Sequence, residues 1–262
     1  MAYASFTTLF DSKIRSIERQ IMAIKKIDTD ETSLTDRQLA SRLKEMLGQL
    51  ADGTLNGNHI QFLNEHKDPF APIKSPNVDV NDQVERWRAH YKGLYHINPD
   101  FSGLYIPERV AGFDRLVIVP KGLTHQKWVE TARTIHEVYL YNDDLDGSVT
   151  VNDRTPKERS YGVWIRDRQE ADEELKEKSA LDLEKEKVAG TTLLERLVAG
   201  TGYLFEKMCH MDVQNVTLCS GSRHSFGGVP YVYWDADDRK VYVHWDNASN
   251  SRVDLRARAV VS

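Results

Sequence analysis

Between Ser220 and Asp254, 17 of 35 residues are Ser, His, Tyr, Asp or Asn. Such side chains combine stiff amphipathic contact area with adaptable hydrogen bonding, which is the chemistry of a recognition surface. Within this stretch VPYVYW and KVYVHW alternate apolar and polar-tipped residues. Period two puts Tyr231, Tyr233, Tyr242 and His244 on one face, while Val229, Val232, Trp234, Val241, Val243 and Trp245 form the buried set. A turn-rich antiparallel sheet also carries Asn, Asp and Ser in its turns and Tyr on its solvent face, so composition alone leaves a purely structural reading open.

Three further clusters could do chemistry. In NDDLDGSVTVND, Asn142, Asp144, Asp146, Thr150 and Asp153 occupy loop positions of a calcium-binding pattern, with Gly147 at its central turn. Asn at the first position, Asp at the last and flanks without two helices favour a tight Asp-rich turn over a calcium site. Asn142, Asp144, Asp146 and Asp153 are the candidate ligands should calcium bind, and no other cofactor is expected. Cys219 and His224 stand five residues apart beside Ser220, Ser222 and Arg223, a spacing that invites a nucleophile and base. Cys219 ends the apolar run VTLC, however, and no orienting third group is evident, so the thiol reads as a small core residue. Arg223 reads as a partner of carboxylates or carbonyls inside the scaffold. Glu170, Asp172, Glu173 and Glu174 read as acids at a solvated helix start.

The elements that must position these residues follow from pattern. Phe10, Ile14, Ile17, Ile21 and Ile24 draw one apolar seam along a helix, and Leu39, Leu43, Met46 and Leu50 draw a second after the capping pair Thr35 and Gln38. Two such seams pack as a hairpin or are shared with neighbouring subunits as a homo-oligomer contact. Three prolines in residues 66–79 mark a linker. The amphipathic stretch Asn81 to Leu94 follows, and the helical N-terminal region is placed at 1–94. From Arg115 the pattern gives a strand (RLVIV), a helix capped by Thr124 (THQKWVETARTIHEV), a strand (SYGVWIRD), a charged run read as solvated, and a helix (TTLLERLVAGTGYLFEKM). NVTLC, VPYVYW, KVYVHW and RVDLRARAVVS are short strands, so residues 95–262 read as an α+β domain with a small antiparallel sheet and two helices.

Composition limits the partners. The 262 residues are 40% hydrophobic, enough for a real core, and the net charge of −5 lacks the basic field that neutralises a phosphate backbone. Nucleic acid is not an expected partner. Two cysteines cannot build a disulfide framework. No signal peptide and no run of the roughly 18 apolar residues needed to span a bilayer is visible, so the chain reads as soluble, cytoplasmic by default or displayed on a particle.

The segment VTLCSGSRHSFGGVPYVYW to VYVHWDNASNSRVDLRARAVVS, with the upstream YNDDLDGSVTVNDRTPKERSYGVWIRDRQEADEEL and TTLLERL, resembles a family of largely uncharacterised microbial proteins and the variable proteins of diversity-generating retroelements. The resemblance covers about 115–262. It implies a C-type lectin fold whose last strands and loops display residues of adenine-containing codons, rewritten by an error-prone reverse transcriptase, to bind changing ligands, mostly proteins. The matching positions are His224, Phe226, Tyr231, Tyr233, Asp235, Tyr242, His244, Asp246, Asn247, Ser249, Asn250, Ser251 and Asp254. The framework it implies is Cys219, Gly221, Arg223, Trp234, Trp245, Leu255 and Arg256. Secreted C-type lectins add disulfides and a calcium site near a Trp-Asn-Asp motif, whereas Trp245-Asp246-Asn247 changes that order, so calcium-dependent sugar binding is not expected. The expectation is a non-enzymatic, ligand-binding protein. Its alternatives are an enzyme on a formylglycine-generating scaffold, or a structural assembly protein.

Overall fold

In the computed structural model, which describes residues 79–262, helices begin where a side chain can accept from the unsatisfied first-turn N–H groups. Asp79 accepts from Asn81 N at the start of α1 (Val80–His90), and Thr124 accepts from Lys127 N at the start of α2 (His125–Ala132). After the four-residue α3 (Leu145–Ser148), two reciprocal capping boxes follow. Ser179 with Asp182 opens α4 (Ala180–Lys185), and Thr192 with Glu195 opens α5 (Leu193–Lys207). The helix pattern from Thr124 thus ends sooner than its sequence suggested. Residues expected at its C-terminal end instead form β2 (Glu137–Leu140), where Val138 and Leu140 alternate with Glu137 and Tyr139.

Helix α1 continues into a wider π turn, Tyr91–Tyr95, and together they turn three aromatic side chains inward, Trp87, Tyr91 and Tyr95. Trp87 Nε1 donates to Leu116 O at 2.8 Å, Tyr91 Oη donates to Ile118 O at 2.6 Å, and Tyr95 Oη meets Thr201 Oγ1 at 3.0 Å. These contacts join α1 to β1 (Arg115–Val119) and α5 in a single core. The described residues all lie in one compact unit, Phe70–Ser262. The two N-terminal helical seams, their oligomer contact and the linker at 66–79 lie outside the described residues, but for Asp79.

The structure is mixed α and β, with several sheets. β1 pairs antiparallel with β4 (Tyr161–Ile165), and all ten residues are buried. β3 (Val151–Asn152) pairs with β6 (Ser222–Arg223). The largest sheet runs β2, β8 (Lys240–Asp246), β7 (Val229–Asp235), β5 (Val216–Leu218), β9 (Leu255–Ala257). Only its middle pairs, β8 with β7 and β7 with β5, are antiparallel. Both edges are parallel, β2 on β8 and β9 on β5, so the expected antiparallel sheet is a mixed one. Parallel neighbours need long crossovers, and nothing in a short strand's composition announces which partner it will meet. Among the described residues no helix is long and apolar enough to cross a membrane.

Two apolar cores result. The larger joins α1, α2, α5, β1 and β4 to Val232, Val241 and Val243 on one face of the large sheet. The smaller lies on the opposite face, where Ala180 and Leu183 of α4 cover Val216, Leu218, Val229, Leu255 and Ala257. The charged run expected to be solvated therefore contains a helix that closes a core. Of the four acids expected at a solvated helix start, Glu173 and Glu174 are exposed in the first turn of a short 3-10 helix, Glu173–Leu175, whereas Asp172 and Glu170 serve the interior. Asp172 is buried, 2.6 Å from Arg166 Nη1 and accepting from Ala259 N. Glu170 accepts the backbone N–H groups of Val213, Gln214 and Asn215, tying two distant loops together.

One buried cluster holds the cores to each other. Asp212, with no exposed surface, sits between Arg196 Nε at 2.7 Å and Arg258 Nη2 at 2.6 Å, and accepts from the Thr217 hydroxyl. Asp212→Ala would leave two guanidinium groups buried without their anion and should destabilise the domain by about 3–5 kcal/mol. A urea midpoint close to that of the parent would show that the pairing carries little of the fold. Burial also depresses two histidines, His90 to about 4 and His210 to about 3, the latter further lowered by His136 and Arg196. Their neutral forms cost nothing above the unfolded value of 6.5, but below it the unfolded chain binds protons that the native rings refuse. Stability should thus fall from about pH 6.5 towards pH 4, by on the order of 1 kcal/mol per histidine near pH 5.5. Urea midpoints unchanged between pH 7 and about 5.5 would refute this.

Candidate ligand-binding face

The register of β7 on β8 sets Tyr231 opposite His244 and Tyr233 opposite Tyr242. Residues opposite one another project to the same face, so all four rings stand together, as period two requires. β2 extends each pair by one ring. Tyr139 lies opposite Tyr242, and Tyr141, just past β2, donates its N–H to Val243 O at 3.1 Å and brings its ring 6.1 Å from His244. The outcome is two rungs of three rings each. In the first, Tyr139, Tyr242 and Tyr233 follow at 5.0 and 5.1 Å between centroids; in the second, Tyr141, His244 and Tyr231 follow at 6.1 and 5.4 Å. Such cross-strand aromatic pairs contribute about 0.5–1.5 kcal/mol beyond the area they bury, which stiffens the surface before any ligand arrives. Tyr139 is 44% exposed and the other five rings are half-buried.

The same sheet face changes character at β7. Val229 was expected with the inward-facing valines, but it is in phase with Tyr231 and Tyr233 and lies in the smaller core. An odd-numbered position on this strand cannot share a side with Val232 and Trp234. On the β5 and β9 side the face is covered by α4, while on the β8 and β2 side it carries the rings. α1, α2 and α5 belong to the larger core on the reverse side. Trp234 is half-buried there, stacked on His210 at 3.5 Å, and Trp245 is half-buried with its ring edge-on to Phe226 at 4.7 Å. Gly228 permits that last contact, since a Cβ at its position would lie 2.7 Å from Phe226 and 2.9 Å from Trp245.

The remaining expected site residues divide into displayed groups and groups that shape the display. Phe226 is 58% exposed, and Asn247, Ser249, Asn250 and Ser251 are exposed in the turn after β8. His224 and Asp246 are buried, which corrects their expected place on the surface. His224 stacks on Phe226 at 4.0 Å, and its Nε2 has no hydrogen-bond partner among the described residues. Asp246 takes Arg252 Nη1 at 2.6 Å and Asn247 N at 2.9 Å, and accepts from the Asn250 amide as well, so it organises the turn. Asp254 pairs with Arg252 at 3.1 Å, and Asp235 accepts from Asp237 N and Asp238 N to close the β7–β8 turn. Tyr139 and Tyr141 were missed by reasoning from sequence. The alternation in EVYLY carries them, but its first two residues, Glu137 and Val138, read as the end of the preceding helix.

The scaffold positions behave as small, buried or paired groups. Arg223 Nη1 donates to Ser220 O at 2.6 Å and Ser222 O at 3.0 Å, as expected for a group serving the scaffold. A Cβ at Gly221 would lie 2.7 Å from Gly190 O. Leu255 is fully buried, and Arg256 pairs with Glu173 at 2.6 Å. Cys219 is fully buried with its Sγ 3.9 Å from Thr217 O, and burial pushes both its thiol and that of Cys209 up, away from the reactive thiolate.

In the Asp-rich loop the oxygens are directed to backbone donors. Asn142 Oδ1 accepts from Asp144 N, and Asp144 caps α3 by accepting from Gly147 N at 2.8 Å. Asp146 accepts from His125 N and Gln126 N at the start of α2 and meets His125 Nδ1 at 2.7 Å. Burial opposes its ionisation, but the hydrogen bonds from the His125 side chain and the two backbone groups hold its carboxyl down at about 2. Asp153 donates its N–H to Gly221 O. Among the described residues no three His, Cys, Asp or Glu side chains converge as a metal site.

The division between displayed and organising residues has a measurable consequence. Asp246→Ala should lower stability by about 1–3 kcal/mol, because Arg252 and the turn amides lose their acceptor. Asn247→Ala, one position on and exposed, should stay within about 0.5 kcal/mol of the parent. Equal urea midpoints for the two variants would show that Asp246 is as free as its neighbour. No protein-family model, curated protein or solved structure matches the chain.

Proposed function

We propose that this protein binds ligands, chiefly other proteins, through the ring-bearing face and the turn at 247–251. In this reading the unit is a C-type lectin-like domain of the kind displayed by diversity-generating retroelements, and its last strands and turns are the diversified part. One observation carries the reading above all: a sheet face is covered on one side by α4, and on the other carries five aromatic rings in the register of β2, β8 and β7, with Tyr141 just past β2 beside His244. Aromatic anchors with few rotatable bonds supply contact area at low entropy cost, and the exposed Asn and Ser side chains beside them adapt to polar partners. The scaffold beneath is held by buried ion pairs and two apolar cores, against which Tyr231, Tyr233 and Tyr141 rest their inner sides. Side chains on the rungs can therefore change while the backbone that holds them stays fixed.

Two results test the reading. The DNA beside the gene should hold a near-copy of the codons for about residues 220–258, differing mainly at adenines, next to a reverse-transcriptase gene. Its absence would end the diversification part of the proposal. Joint replacement of Tyr231, Tyr233, Tyr242 and His244 by Ala should abolish capture of binders selected against the parent protein, while the circular dichroism spectrum and cooperative unfolding persist. Undiminished binding by the folded variant would move the site elsewhere.

A further inference from the structure

The two rungs end in different electrostatic settings. At Tyr231 the guanidinium of Arg252 lies 5.1 Å above the ring centroid, flanked by Asp246 at 2.6 Å and Asp254 at 3.1 Å. The chain thus places its own arginine on a ring, between carboxylates. At the Tyr233 and Tyr242 end the corresponding carboxylates are Asp235, Asp237 and Asp238, in the turn from β7 to β8. The Tyr242 hydroxyl donates to Asp238, and Asp235 holds the turn through the N–H groups of Asp237 and Asp238. Among the described residues no ion pair reaches these three acids, while Lys240, at the start of β8, is engaged by Glu137 at 3.2 Å. Even with exposed Arg239 counted, the turn is net acidic.

The negative field is felt by the rings. The hydrogen bond to Asp238 is the main cause that pushes the Tyr242 hydroxyl up to about 12, and Tyr233 is raised by burial, then by Tyr231, Asp235 and Asp238. Electron-rich rings beside carboxylates that have no cationic partner attract cations, and a guanidinium suits such a place better than an ammonium because it can stack on a ring and fork to a carboxylate together.

Resting on the reading of this face as a binding surface, we propose that the rung Tyr139, Tyr242 and Tyr233, with Asp235, Asp237 and Asp238, docks a protein segment that presents arginine side chains. One guanidinium stacks on the rung as Arg252 stacks on Tyr231, and the acidic turn supplies its counter-charge. The charge complementarity selects a basic peptide over a nucleic acid, whose phosphates the turn repels.

The test is a backbone-amide NMR titration of the full chain with acetyl-Gly-Arg-Gly-Arg-amide, its citrulline counterpart, its glutamate counterpart and a single-stranded oligonucleotide. The arginine peptide should shift the amides of Tyr139, Tyr233 and Tyr242, and citrulline should bind about tenfold more weakly or worse. Asp235→Asn with Asp238→Asn keeps the turn's backbone acceptors and should weaken the arginine peptide about three- to tenfold in a protein whose spectrum stays dispersed, with a similar loss at high salt. Equal binding of citrulline, or arginine-induced shifts confined to other surfaces, would overturn the proposal. Preferential binding of the glutamate peptide or the oligonucleotide on these rings would overturn it too while leaving the recognition face intact. Should no probe shift any of the six rings, both the proposal and the binding reading of this face would fall.

Discussion

The domain depends on burying Asp212 without leaving it uncompensated. This residue, in the left-handed conformation at φ 57°, connects α5 to β5, and its carboxylate joins Arg196 of α5, Arg258 just past β9 and Thr217 of β5. Its backbone extends the same junction, accepting at O from Trp234 of β7 and donating from N to Gln169 O. Arg258 adds bonds to Arg168 O and Gln169 O. A carboxylate this far from water is tolerable only with such partners, and each partner comes from a different segment. The helix, three strands and the 166–172 loop therefore come to one place or the charge is stranded.

Similar buried pairs repeat the device along the last residues. Asp172 binds Arg166 and the N–H of Ala259, and Glu195, besides capping α5, takes Arg154, whose guanidinium also reaches Gly190 O at 2.6 Å. Val261 exchanges backbone hydrogen bonds with Trp164 on β4. The end of the chain is thus fixed on both sides of the stretch that carries the rings. That arrangement eases two demands that usually conflict: charge networks and apolar layers hold the scaffold, and the face takes its chemistry from side chains at the margin of those layers, Tyr231 and Tyr233 resting against the smaller core. Asp246 and His224 mark the border, since they lie within the recognition stretch yet are buried in the service of its shape.

Much of the local structure was legible from residue order. The Thr124 cap, the apolar periodicity of α5, the apolar runs of β1 and β4 and the alternation of β7 and β8 are short-range patterns, and each describes its element. The ring face was legible for four of its six members because period two is a property of a strand by itself. Tyr139 and Tyr141 were not, since their strand follows a helix directly and helical and strand patterns overlap there. α4 was hidden in a charged run because only two of its residues, Ala180 and Leu183, need to be buried to close a core.

The sequence by itself determined which residues alternate, that a helix begins at Thr124 and that the last strands are rich in Tyr, His, Asp, Asn and Ser, because those properties depend on neighbours a few positions apart. Only the tertiary structure decided that β2 and β9 join as parallel edges, that α4 covers half of one sheet face and leaves the rings on the other half, and that Asp246 turns inward to Arg252 while Asn247 stays exposed. The physical reason is that β2 and β9 depend on partner strands about 100 and about 40 positions away, α4 on strands about 30 to 80 positions away, and Asp246 on the company of a buried charge, none of which is written in local periodicity.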